Sequence, residues 1–230
     1  MPETTYVAFR SSEALHTGTD GFIQRMNGGA VRPEPETIEK IMKLFIEEAL
    51  QAFLITPTEQ AQLSGGLKRI IQLTADTVSK ATHVVIKSTA KKLDIEQNRR
   101  TAEYMETVRI QLEEDGELVW HVAFPLPPQM ADKGRRALNM VLDGQEDAGR
   151  RDVIEYFHDL TDIAMVWYFE RPIELLGFGP IMRKVANVGV ATTRKAMHSA
   201  IDRVVPKLHG EQFQISARYA LSLMRDAAAD

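Results

Sequence analysis

A chain of 230 residues without cysteine excludes a disulfide scaffold, a thiolate metal site and a cysteine nucleophile. Its 44% hydrophobic and 26% charged residues match a soluble globular protein with a sizeable core, which disfavours disorder, collagen and coiled-coil rods. The net charge of −4 and the lack of a helix-turn-helix spacing argue against sequence-specific nucleic-acid binding. The longest uncharged run, residues 118–131, contains three prolines and falls short of the ~18 apolar residues needed to cross a bilayer. The first ten residues lack the basic start and apolar stretch of a secretion signal, so a soluble cytoplasmic protein is expected.

Taken in chain order, residues 5–9 read as a short strand of β-favouring residues. A helix over 12–26 ends at Gly28-Gly29, where glycine accepts the left-handed conformation that closes a helix. A second helix, about 35–54, places Ile38, Ile41, Phe45, Ala49 and Phe53 on one face and should stop before Pro57. Thr56-Pro57-Thr58-Glu59 reads as a capping box opening a third helix. Gly65-Gly66 then breaks the chain before a long helix over 67–92, and a last helix covers about 95–112. Val108, Ile110 and Leu112 alternate with polar residues, and Asp115-Gly116 could turn a hairpin into 118–124. The matching stretch at the C-terminus is alanine-rich and lacks the alternation, so helix through about 112 is preferred. A strand over 118–124 and helices near 128–142, 151–169, 181–205 and 212–229 complete the chain.

This order of elements repeats. Sliding the sequence by 115 residues, half its length, aligns it with itself without a gap. Between Thr77 and Tyr104, 11 of 28 positions match their counterparts, among them Lys80/Lys195, His83/His198, Glu96/Glu211 and Tyr104/Tyr219. Chance would supply about two at roughly 6% identity. Val7-Ala8-Phe9 also falls on Val122-Ala123-Phe124, Gly29 on Gly144, and Pro57 on Pro172. The expected fold is mainly helical, a tandem internal duplication of residues 1–115 and 116–230. Each half should have one short strand and about four helices. One strand cannot stand alone, so the two are expected to pair antiparallel across a pseudo-twofold axis, making one cooperative unit.

The chain's charge is unevenly placed. Residues 67–92 and 182–208 each carry a net +5, leaving −14 for the rest. At 100° per residue Arg69, Lys80, His83, Lys87 and Lys91 fall within an arc of about 80°. Lys184, Lys195 and His198 occupy the same arc in the second half. This stripe is the candidate surface for an anionic or protein partner, weighed against neutralisation by the chain's own acidic helices, and an internal or protein-partner role is expected for it.

Lys80, His83 and Glu96, with their duplicates, could supply acid–base groups for an enzyme, but no nucleophile signature accompanies them. Glu13-x-x-His16 and Glu155-x-x-His158 have metal-ligand spacing, yet they are not counterparts in the two halves, and no metal or cofactor is expected. The apolar run 163–169 is expected to lie buried between the halves, with a hydrophobic ligand pocket or a homodimer contact as alternatives. The leading functional expectation is a non-enzymatic binding or assembly protein that recognises a protein or anionic partner, self-association included. The alternative is a small-molecule enzyme or hydrophobic-ligand-binding protein acting at the interface of the repeats.

Overall fold

Two strands that begin the two halves pair antiparallel at the centre of a four-stranded sheet. The computed structural model describes residues 3–228. Strand β1 (Glu3–Arg10) pairs with β3 (Glu117–Pro125), in a register that sets Ala8 opposite Ala123 and Val7 opposite Phe124. Strands β2 (Arg109–Glu114) and β4 (Met224–Ala228) add to the outer edges, giving the order β2-β3-β1-β4.

The edge strands correct the expected single strand per half. Helix α5 (Ile95–Thr107) and helix α10 (Gly210–Ser222) both end early, and the chain then turns extended. The hairpin with Asp115 and Gly116 at its tip, both at positive φ, therefore exists. The stretch 115 residues on from β2 is β4, in a segment expected to be helical as far as 229, a residue outside those described. Alanine-rich sequence forms a strand here because β1 offers an unpaired edge, and sheet pairing outweighs weak local preference.

Mainly helical structure surrounds the sheet. Helices α1 (Glu13–Asn27) and α6 (Pro128–Leu142) follow the central strands. Ser12 caps α1 by accepting the Leu15 N–H, and Gly29 and Gly144 leave the two helices at positive φ. Helices α2 (Pro35–Leu50) and α7 (Glu146–Met165) do not stop before their prolines. Each passes through one wide turn, residues 51–55 and 166–170, and runs on into α3 (Thr56–Gln60) and α8 (Arg171–Leu176). In these turns the Thr56 N–H donates to the Gln51 carbonyl and the Arg171 N–H to the Val166 carbonyl, one residue further back than in an α-helix. A proline one residue later lacks an N–H and crowds the carbonyl four residues behind it, and the π turn absorbs both conflicts.

The capping box expected at Thr56 is therefore absent. Thr56 is helical, and Thr58 Oγ1 donates back to the Leu54 carbonyl. The capping box among the described residues sits at Asp94, which exchanges hydrogen bonds with Gln97 at the start of α5.

The long helices α4 (Gly65–Thr89) and α9 (Pro180–Val204) form the most extensive helix pairing in the fold. Val7, Phe9, Val122 and Phe124 point from one face of the sheet into the main core. Ala8, Leu112 and Ala123 form a small satellite cluster apart from it. Two tyrosines lace the helices together: Tyr104 Oη donates to the Trp167 carbonyl at 2.5 Å and Tyr219 Oη to the Ala52 carbonyl at 2.8 Å. Both acceptors lie at the π turns. Replacing either tyrosine by phenylalanine is expected to cost about 1–3 kcal/mol in urea unfolding, since it strands a carbonyl in a poorly solvated turn.

Candidate functional site

Helices α4 and α9 turn the basic stripe outward. Arg69, Lys80, Lys87, Lys91, Lys184 and Lys195 are all exposed, and none forms an ion pair within 4 Å among the described residues. Direct neutralisation by the acidic helices is not how these charges are held. The exposed apolar residues Leu73, Val84, Ile181 and Val188 lie on the same two helices. Reversing Lys80 and Lys195 together to glutamate is expected to leave the thermal midpoint within about 2 °C of wild type, because exposed unpaired charges contribute little to stability.

The two stripe histidines have different surroundings. His83 is half-buried, with Nδ1 3.2 Å from Ser79 Oγ and Nε2 buried without a protein partner. His198 stacks on His158 with ring centroids 4.4 Å apart, and its Nε2 lies 3.2 Å from Asp162 Oδ1. His158 Nε2 lies 3.0 Å from Asp202 Oδ1, and Arg194 donates to Asp162 and Glu170. This network borders a shallow, open depression along α9 that includes Lys195 and Ser199. Glu96 pairs instead with Arg99 and Arg100 on its own helix. Of the expected acid–base set, no hydrogen bond or ion pair joins Lys80, His83 and Glu96 among the described residues.

The interior holds a different kind of site. Two apolar cavities lie beneath α4 and α9, of about 160 and 250 Å³. For scale, an engineered apolar cavity of about 150 Å³ stays dry and binds benzene. The smaller lies against α1, α2, α4 and α5, the larger against α2, α7, α9 and α10. Phe45, Tyr168 and Phe169 line both cavities. Within the run 163–169 Met165 and Tyr168 are buried and the others are half-buried, and Ala164, Met165, Tyr168 and Phe169 line the larger cavity.

Polar groups at the two cavities differ. At the smaller one, Arg109 is nearly enclosed: its guanidinium lies 4.3 Å from the Trp120 ring centroid, with Nη2 3.1 Å from His16 Nδ1 and 3.5 Å from Asp20 Oδ1. Burial lowers the Arg109 pKa, opposed by Asp20. The position 115 residues on is Met224, and none of the residues lining the larger cavity is charged. Two of its lining residues, Tyr168 (shared with the smaller cavity) and Thr193, have buried hydroxyls without a protein partner.

His16 gives the smaller cavity a pH signature. Burial first, then the Arg109 charge, lower its pKa from the ordinary 6.5, against a smaller opposing effect of Asp20. The fold therefore favours the neutral ring. Below about pH 6.5 the unfolded chain takes up the proton first, so stability falls until pH reaches the lower folded value. Denaturant melts at pH 7.5, 6.0 and 5.0 should show a smaller loss in His16→Gln than in wild type.

Sequence reasoning missed Arg109 and the unpaired Tyr168 hydroxyl, and had a hydrophobic pocket only as an alternative at the run 163–169. The Tyr104/Tyr219 identity was a visible signal, though its role as a tie to the π turns was not. Neither Glu-x-x-His motif assembles a metal site, and no cluster of three or more metal-ligating side chains occurs among the described residues. No helix among them is long and apolar enough to cross a membrane. Compared with known proteins, the chain matches no family model, no curated protein and no solved structure.

Proposed function

We propose that this chain is a non-catalytic binding protein built as an internal duplication, whose halves each hold a small apolar molecule beneath the long helices. The observation that carries the proposal is the pair of cavities with linings 115 residues apart. Ile41, Ile86 and Tyr104 line one where Tyr156, Ile201 and Tyr219 line the other.

Several further features support the duplication and a pseudo-twofold relation. Helices α1/α6, α4/α9 and α5/α10 differ by 115 residues at both ends, as do the two π turns. The central register pairs Ala8 with its own counterpart Ala123, and the edge pairs Arg109↔Val122 and Val7↔Met224 exchange under the same shift. The tyrosine ties Tyr104–Trp167 and Tyr219–Ala52 exchange likewise. The phenyl edge contacts Phe9–Phe53 and Phe124–Tyr168, with centroids 5.7 and 5.3 Å apart, do the same.

The test is a calorimetric and thermal-shift screen with small aromatic and medium-chain apolar probes, since a ligand that binds only the folded state raises its midpoint. Thr101→Leu narrows the first cavity and Ala164→Leu the second. Each variant should lose the probe of its own cavity and keep the other's. Binding untouched by either variant would sink the proposal.

A second reading concerns the stripe. Its exposed, ion-pair-free cations favour contact with an anionic partner, and such binding would weaken steeply as salt rises. Gel-shift titrations with duplex DNA and RNA, and pull-downs with an acidic protein, each at two salt concentrations, test it. Charge reversal at Lys80 and Lys195 should abolish the retention while leaving the melt unchanged.

A further inference from the structure

Two residues with buried hydroxyls line the larger cavity, Tyr168, which it shares with the smaller one, and Thr193, which it does not. Tyr168 is 8% exposed and Thr193 is 3% exposed, both line this cavity, and neither hydroxyl has a protein hydrogen-bond partner. Buried polar groups in proteins are almost always paired, and an unpaired one is a standing cost. Of the six other buried threonines, Thr58, Thr74, Thr82, Thr89 and Thr161 donate to the carbonyl one helical turn earlier, and Thr19, like Thr193, does not.

The positions 115 residues earlier make the contrast sharper. They hold Phe53 and Val78, which also line this cavity; phenylalanine lacks the hydroxyl of tyrosine, and valine carries a methyl where threonine has its hydroxyl. Apolar residues therefore suit such positions in this fold, and the two hydroxyls are not needed to fill space.

Resting on the cavity reading above, we infer that the larger cavity takes a neutral apolar molecule bearing a carbonyl oxygen, held by the Tyr168 and Thr193 hydroxyls. Ketones, aldehydes and esters are the ligand class. A carbonyl oxygen has two lone pairs and can accept from two donors at once. Burial raises the Tyr168 pKa, so the phenol keeps its proton and donates. A charged ligand is disfavoured because no charged side chain lines the cavity to offset its desolvation.

The experiment compares acetophenone with α-methylstyrene, which replaces the carbonyl oxygen by a methylene in nearly the same shape. Both are titrated calorimetrically into wild type, Tyr168→Phe and Thr193→Val. Loss of one hydrogen bond should weaken acetophenone about three- to tenfold in each variant and leave α-methylstyrene unchanged or tighter. Ala164→Leu should remove both probes. The unliganded variants should melt at or above the wild-type temperature, because each loses an unpaired hydroxyl. Equal effects on both probes, no effect on acetophenone, or a melt lowered by several degrees in both variants would overturn the inference. If α-methylstyrene still binds under the first two results, the cavity reading survives. If neither probe binds wild type, both fall together.

Discussion

Replacing Phe124 by alanine is expected to destabilise the protein by about 3–5 kcal/mol, the range for emptying a fully buried aromatic site. Phe124 is 0% exposed, sits opposite Val7 in the central strand pair and meets the Tyr168 ring edge-on with centroids 5.3 Å apart. It also lines the larger cavity, so truncation adds volume to a space that already exists and gives the surroundings little to collapse onto. The measurement is urea unfolding with fixed slope and lowered midpoint. Because strands from both halves form the sheet centre, the variant should unfold in a single transition. A cost below about 1 kcal/mol would mean that the core tolerates the loss by rearranging. Two separated transitions would instead mean that the halves fold apart.

Changing Gly189 to alanine should be destabilising by about 1–2 kcal/mol, although helix propensity alone favours alanine by about 1 kcal/mol. A Cβ on Gly189 would lie 2.4 Å from Val85 Cγ2, inside the tight α4–α9 contact. Valine in a helix is held to essentially one rotamer, so Val85 cannot swing aside cheaply. The positions 115 residues away hold Thr74 and Ala200, with the larger and smaller residues exchanged. In a Val85→Ala background the clash is gone, and Gly189→Ala should become stabilising. That change of sign, read from a double-mutant cycle, is the decisive result. Additive effects would show that the contact does not set the helix spacing.

Much of the helical layout was determined by local chemistry. Ser12 before α1, Pro35 opening α2, the glycines after α1 and α6, and the apolar face through Ile38, Ile41 and Phe45 act within a turn or two of the chain. The recurrence at 115 residues and the basic stripe were visible for the same reason, since residue type and helical period need no tertiary partner, but that the stripe faces outward without ion pairs was not. The strand at 109–114 was legible in the alternation of Val108, Ile110 and Leu112 and was set aside only because the C-terminal stretch lacks it, whereas the strand at 224–228 was not legible, because it is extended only through its pairing with β1. Pro57 and Pro172 signalled helix ends, while the fold kept each helix going through a π turn whose backbone is tied by a tyrosine from a distant helix. Arg109 and Tyr168 carry no motif. Their character comes from neighbours such as Trp120 and Phe124, brought close only when the sheet and helices assemble. Local preference acts over a few residues, whereas cavities and unpaired hydroxyls are set by long-range packing.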